Sequence, residues 1–315
     1  MRISVIICTR NRAKFLNKAL EGIYRQDLSK KDYEVIVVDN NSDDDTKNIA
    51  NKWKGKLPNY KYIVEKKNGL PYARNTGWKA AESPIVIYLD DDAIPDKNWL
   101  INILKTYKKM SDSKKFIAIG GGVRLYMVDD IVFPKWLPEN MKDYLTRLDY
   151  GSESRVLKGD ERLVGANFSV PRFVLEKIGG FNEGLYNYGG DERWVEDKIK
   201  MMSGILIYSG NSFVNHAVTS ERLNEKWFYE RFLLEGKAVQ RGRTLLRNDN
   251  FIRVVLRFCK NIVLYIYYLP NKVKNKKRIN KNIFIKITKF YFCKGSIISL
   301  FDTLKSFIKI LPRKI

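Results

Sequence analysis

Ile85-Val86-Ile87-Tyr88-Leu89-Asp90-Asp91-Asp92 joins five apolar residues to three consecutive carboxylates. The apolar run has the length and β-branched content of a buried strand. The acids that end it repel one another, and the repulsion raises their pKa values unless a cation intervenes. Hard oxygen ligands of this kind suit Mg2+ or Mn2+, ions that usually carry a substrate phosphate as well. Taken alone, the triplet also reads as a solvated acidic turn. Its neighbours decide between the two.

Towards the N-terminus the same pattern repeats. Residues 2–8 form an apolar strand that ends in Thr9-Arg10-Asn11-Arg12, and a helix follows near Lys14–Arg25. Residues 33–38 form a second strand, closed by Asp39-Asn40-Asn41-Ser42, with a helix over Thr46–Trp53. A strand at 60–64, a helix over Leu70–Ala81 and the strand at 85–89 complete the series. Repeated strand-helix units predict a mostly parallel, Rossmann-like sheet, with ligands outside the carboxyl ends of its strands. Thr9, Asp39 and Asp90–Asp92 all fall at such ends.

Downstream, 117–126 reads as a glycine-containing strand, and Trp136 lies in the loop after it. Leu163–Val170, a short helix at Val174–Ile178 and Gly179-Gly180-Phe181 follow. Gly189-Gly190-Asp191-Glu192-Arg193-Trp194 opens a helix that runs to about Met202. Strand Ile205–Tyr208 and segment Phe213–Val218, which contains the single histidine, His216, close the region.

The composition bounds the class. The 315 residues allow one large catalytic domain and an appendage, and 44% hydrophobic content supports an ordinary core. The first residues lack the charged lead, apolar stretch and cleavage site of a signal peptide. Cys8, Cys259 and Cys293 lie too far apart for a zinc or disulfide framework, which fits a reducing cytoplasm. The net charge is +23, and residues 251–315 hold 16 Lys+Arg against one acid, Asp302, which puts +15 in the C-terminal segment. Such asymmetry points to an anionic partner.

The ordered motifs resemble the family-2 inverting glycosyltransferases, which have the GT-A fold. They are Val-Ile-Ile-Cys-Thr-Arg-Asn-Arg at 5–12, Val-Ile-Val-Val-Asp-Asn-Asn-Ser at 35–42, Gly-Leu-Pro-Tyr-Ala-Arg-Asn-Thr-Gly at 69–77 and Tyr-Leu-Asp-Asp-Asp-Ala-Ile-Pro at 88–95. Gly-Ala-Asn at 165–167, Gly-Gly-Phe at 179–181, Gly-Asp-Glu at 190–192 and Val-Asn-His at 214–216 continue the series, so the resemblance covers roughly residues 2–240.

The resemblance implies transfer of a sugar from a nucleotide-sugar, UDP first, to an acceptor hydroxyl. It places Thr9 and Asp39 at the base, with Arg12 and Asn41 nearby, and Arg74 near the nucleotide or diphosphate. Asp91 would reach the ribose, Asp92 would bind the metal, Asp90 would support the cluster, and Asn167 would contact the donor sugar. A metal there would stabilise the leaving diphosphate as a Lewis acid. The family sets its catalytic base in a Glu-Asp pair, whereas this chain has Asp191-Glu192. Glu192 aligns with the usual position and Asp191 is second. Glu196 and Asp197 stand further in, where Lys198 or Lys200 could pair with them.

Three further residue types keep two readings each. His216 is either a third metal ligand or structural. Asn167 is either a sugar contact or part of a tight turn. Trp136 and Trp194 either stack on an acceptor sugar or belong to the core.

The chain therefore divides into a catalytic domain at 1–220 and a helical basic region at 221–315. Asn224–Gln240 reads as an amphipathic helix. Ile252–Leu269 sets Arg253, Arg257 and Lys260 on one face, and the link Asn271–Lys281 holds six basic residues. Over 296–311, Ser299, Asp302, Ser306 and Lys309 share a polar stripe opposite Ile297, Ile298, Leu300, Phe301, Leu304, Phe307 and Ile308. Apolar faces bordered by cations suit the interface of an anionic membrane. The longest apolar run there, eight residues, is far short of the ~20 that span a bilayer. The expected acceptor is a glycan or lipid-linked sugar of a surface polysaccharide, met at the cytoplasmic face of the membrane. Two other classes compete: an inactive nucleotide-sugar binder, and a nucleic-acid-binding protein. The second lacks a zinc-finger, aromatic RNA-binding or helix-turn-helix pattern.

Overall fold

The computed structural model describes residues 2–109, 116–185, 190–247, 249–269 and 281–310. The chain forms two compact units. One comprises Met1–Met127, Thr146–Tyr186 and Asp191–Val218; the other comprises Val128–Leu145, Asn187–Gly190 and Thr219–Ile315.

The first unit is built on one sheet. Strands β1 (Ile3–Thr9), β2 (Tyr33–Asp39), β3 (Lys61–Val64) and β4 (Ile85–Asp90) run parallel, in the order β3-β2-β1-β4. Helices α1 (Ala13–Tyr24), α2 (Thr46–Asn51) and α3 (Leu70–Ala80) make the crossovers. Strands β1 and β2 are buried along nearly their whole length, so they read as continuous apolar runs rather than alternations. One core cluster gathers Ile3, Val5 and Ile7 with α1, and a second gathers Ile6 and Val38 with Phe168 and Phe181.

Beyond β4 the sheet is mixed. β5 (Ala93–Pro95), β6 (Ile117–Met127), β7 (Arg155–Val156), β8 (Asn167–Pro171) and β9 (Ile205–Val218) continue it as β4-β8-β6-β9-β5, with β7 also on β9. β8 lies antiparallel to both β4 and β6, and β5 lies antiparallel to β9. The expected mostly parallel sheet thus holds for the first four strands and again for β6 with β9, while β8 and β5 run antiparallel to their neighbours. After β4, connections other than strand-helix-strand crossovers return the chain, and these permit reversed pairing. Helix α4 (Trp99–Lys109) packs Trp99, Leu100 and Ile103 into the core, and α5 (Arg172–Ile178) and α6 (Asp191–Met201) complete the unit. The two segments read at 205–208 and 213–218 are one strand.

Among the described residues the second unit holds three long helices, α7 (Glu225–Arg247), α8 (Phe251–Tyr268) and α9 (Lys281–Ile310). Trp136 joins its aromatic centre, 5.8 Å from Phe228 and 4.8 Å from Phe284 between ring centroids. α7 and α9 approach through glycine: a Cβ on Gly236 would lie 2.1 Å from Phe292 O, and one on Gly295 1.9 Å from Leu233 O. Ser296 and Ser299 are buried with them, so the polar stripe expected on the outside of 296–311 faces inward at Ser299. Arg257 also departs from its expected outward face; it pairs with buried Asp249 and donates to Thr244 at 3.2 Å. The link at 271–280 lies outside the described residues. No helix among the described residues is long and apolar enough to cross a membrane.

Candidate active site

Strand register assembles the site. In β1 and β2 Thr9 stands opposite Asp39, and in β1 and β4 Cys8 stands opposite Asp90. Three carboxyl-terminal strand ends are therefore level, and their polar residues meet. Thr9 Oγ1 donates to Asp91 Oδ2 at 2.7 Å. Arg12, just before α1, reaches across to the triplet, with Nη2 2.5 Å from Asp92 and Nη1 3.4 Å from Asp91. Burial works against the charge of Arg12, and Asp91 and Asp92 more than restore it. Arg12 thus pairs with the carboxylates and also lines the same cavity as Thr9 and Asn40.

The triplet is electrostatically strained. Burial lifts Asp91 to about 7, opposed by Arg12. Burial and the adjacent Asp92 raise Asp90 as well. A divalent cation would relieve both effects. The antiparallel pair β5–β9 sets His216 opposite Ala93, and Ala217 N donates to Asp92 O at 2.9 Å. His216 Nε2 consequently lies 3.1 Å from Asp92 Oδ1 and 3.8 Å from Asp90 Oδ2. Ligand atoms of Asp90, Asp92 and His216 all lie within 4.8 Å of one another, a spacing one ion can bridge. Two carboxylates and one imidazole fit Mn2+ or Mg2+.

A cavity of about 320 Å³ opens beside these groups, lined by Thr9, Arg12, Asn40, Gly69, Asp90 and Asp91 among others. Its rim at Gly69 is fastened by Asn40, which accepts from Gly69 N at 2.7 Å and donates to Glu65 O and Lys67 O. Sequence reasoning passed over Asn40 as a turn residue, although its place directly after Asp39 at a strand end is the signal. Asp39, the residue before Asn40, accepts from Ser42 N at 2.9 Å and from Tyr62 Oη. Each of its oxygens keeps a second lone pair for a ligand. Asn41 is exposed in a left-handed turn, with φ 61°.

Arg74 is 3% exposed and links the triplet to α6. Its guanidinium lies 2.6 Å from Asp191, 3.3 Å from Glu192 and 4.0 Å from Asp90. The place expected of Arg74, near the nucleotide or diphosphate, is compatible with this bridge to Asp90. The two neighbouring acids differ. Asp191 is 2% exposed, and burial raises its pKa against the pull of Arg74. Glu192 keeps 27% of its side chain exposed.

Several expected residues turn elsewhere. Asn167 is fully buried. Its amide donates to Gly122 O and Ser212 O at 3.1 and 2.8 Å and accepts from Trp99 Nε1 at 2.8 Å. Both amide hydrogens are spent on the core, so Asn167 locks strands together and has none left for a sugar. Glu196 and Asp197 bind Arg162, at 3.2 and 2.5 Å, rather than Lys198 or Lys200. Lys198 lies over the half-buried Trp194 ring, 4.7 Å from its centroid. Arg162 had no motif to mark it. Gly189 lies outside the described residues.

Comparison with known proteins shows the family and the fold. The family model described as "Glycosyl transferase family 2" matches residues 4–163. Glycosyltransferase AglE of Haloferax volcanii is 28% identical over 200 residues, which is 62% of this chain and 60% of that protein. A glucosyl-dolichyl phosphate glucuronosyltransferase of the same organism is 24% identical over 246 residues, 75% of each. Among solved structures, the mannosyltransferase PcManGT from Pyrobaculum calidifontis in complex with GDP-Man and Mn2+ superposes with a TM-score of 0.57 at 18% identity, covering 99% of this chain and 76% of that one. TarS 1-349 of S. aureus in complex with UDP-GlcNAc gives 0.54 at 15% identity, covering 100% and 93%. These likenesses show the GT-A fold.

Proposed function

The chain belongs to glycosyl transferase family 2, and from that premise we propose that it is an inverting, metal-dependent glycosyltransferase. Its donor is a nucleotide-sugar, UDP-linked in the first instance, and its acceptor is a hydroxyl of a lipid-linked sugar in the assembly of a surface polysaccharide. Catalysis belongs to the N-terminal 220 residues; the basic region from 221 onwards serves the membrane surface.

The observation that carries this reading is the buried Arg74, within 4.0 Å of Asp90 at one end and bonded to Asp191 and Glu192 at the other. It links Asp90, in the cluster proposed to hold the cation, to the carboxylate proposed to accept the proton. Asp90, Asp92 and His216 would hold the ion, and when bound it supplies positive charge to the diphosphate leaving group. Thr9, Asp39 and Asp91 face the nucleoside, with Arg12 and Asn40 ordering the walls. Glu192 takes the proton of the acceptor hydroxyl as that oxygen bonds to the anomeric carbon. The carbon–oxygen bond to phosphate breaks, and the nucleoside diphosphate leaves with the electron pair. A single displacement of this kind inverts the anomeric centre. Both acids contact Arg74, but Asp191 is nearly inaccessible while Glu192 is partly exposed, which favours Glu192 as the base.

The acceptor class draws support from the dolichyl-linked substrate in one relative's name and from the charge of the C-terminal region. Thermal unfolding across a panel of UDP-, TDP- and GDP-sugars with and without Mn2+ tests the donor. One donor is expected to raise the melting temperature only with Mn2+. No shift with any donor overturns the proposal. A shift without turnover on any acceptor leaves a nucleotide-sugar-binding protein in its place.

A further inference from the structure

Helix α8 is apolar on two opposite faces. Its inner face is covered: Val254 and Asn261 are buried, and Tyr265 stacks on Phe290 of α9 at 4.6 Å. Its outer face carries Ile252, Leu256, Cys259, Val263, Ile266 and Tyr267, all exposed, Ile252 by 66% and Tyr267 by 71%. At helical spacing these six occupy an arc of about 100°, opposite Val254 and Asn261, and run about 22 Å along the axis. A helix that faces water carries polar residues on such an arc.

Arg253 and Lys260 border the stripe along one edge, both exposed. α8 contains no acid, and neither cation has an acidic partner among the described residues. α9 shows a related arrangement. Gly295, Ser296, Ser299 and Thr303 are buried, while Phe301 is exposed with Lys305 4.4 Å above its ring. The likeness is confined to that end of α9, since Phe284, Phe290 and Leu300 of the same helix are buried.

We propose that the outer face of α8 lies in the interface of an anionic phospholipid bilayer, its apolar stripe at the acyl boundary and Arg253 and Lys260 on headgroup phosphates. This extends the membrane-surface reading above and rests on it for its biological purpose, but its evidence lies in the C-terminal unit alone. The stripe calls for hydrocarbon, and the +15 charge of residues 251–315 calls for an anionic surface. A second copy of the chain is a poor occupant, because a two-fold contact would bring the same cations together. The helix lies on the membrane, since no described helix can cross it.

Flotation of the full chain with phosphatidylglycerol-containing and with pure phosphatidylcholine vesicles tests this. Binding is expected to be at least about tenfold stronger to the anionic vesicles and to weaken with salt. The double variant Leu256→Glu, Val263→Glu should lower partitioning by about tenfold or more while its melting temperature and donor-induced shift stay unchanged. Arg253→Gln with Lys260→Gln should reduce the preference for anionic vesicles and flatten the salt dependence. Flotation of the Glu double variant at the wild-type level overturns the proposal. So does conversion of a wild-type dimer to monomer by that variant in sedimentation, which would mark the face as a contact between copies. The donor-induced shift of the wild type is independent of vesicles, so failure of docking and failure of the catalytic reading are separate results.

Discussion

Asp191 and Glu192 are adjacent in sequence but differ in exposure. Both touch the buried Arg74 guanidinium, but Asp191 is 2% exposed whereas Glu192 keeps 27% of its side chain exposed. Glu192→Gln is therefore expected to lower kcat by about 10²–10⁴ with little change in donor affinity or melting temperature. Asp191→Asn leaves Arg74 with a buried, under-compensated charge and is expected to cost about 3–5 kcal/mol in urea unfolding. Asn167→Ala deprives Trp99 Nε1, Gly122 O and Ser212 O of partners, and a loss on the order of 3 kcal/mol with unchanged donor KM would confirm its place in the core. Glu196 makes a pH prediction. Burial, opposed by Arg162, lifts its carboxyl to about 7, above the unfolded value of about 4.3. The folded chain then keeps a proton that the unfolded chain has released. Stability from this group is complete below the unfolded pKa and is lost as pH rises through 7. Glu196→Gln should flatten the melting temperature against pH between about 5 and 7.

At the scale of elements, the strand-helix alternation to β4 is legible because each buried strand is a continuous apolar run bounded by polar turns. Strand β9 was harder. Gly210, Asn211 and Ser212 interrupt its apolar pattern, and the strand pairs with β6, β7 and β5 at 205–209 and 214–218, on either side of a register shift. α9 misled by its periodicity. A polar stripe normally marks the wet side of a helix, but serine buries readily where glycine lets two backbones approach. Gly295→Ala would force Cβ into Leu233 O. It should destabilise the second unit by about 1–3 kcal/mol and speed hydrogen exchange in α7 and α9.

For the molecule as a whole, the carboxylate cluster ties stability to metal. Mn2+ at about 100 times its Kd should add about 2.7 kcal/mol to unfolding, and Asp92→Asn should abolish the gain. Sequence alone determined the parallel half of the sheet, the level strand ends carrying Thr9, Asp39 and Asp90, and the basic C-terminus. These depend on local periodicity and on charge, which a chain displays in order. Tertiary structure alone decided that Arg12 and Arg74 face the acids, that Asn167 belongs to the core, that Arg162 claims Glu196, and that α8 turns apolar residues outward. Those outcomes depend on which residues, 30 to 120 positions apart, arrive within hydrogen-bonding distance, and long-range pairing of that kind leaves no periodic trace in the sequence.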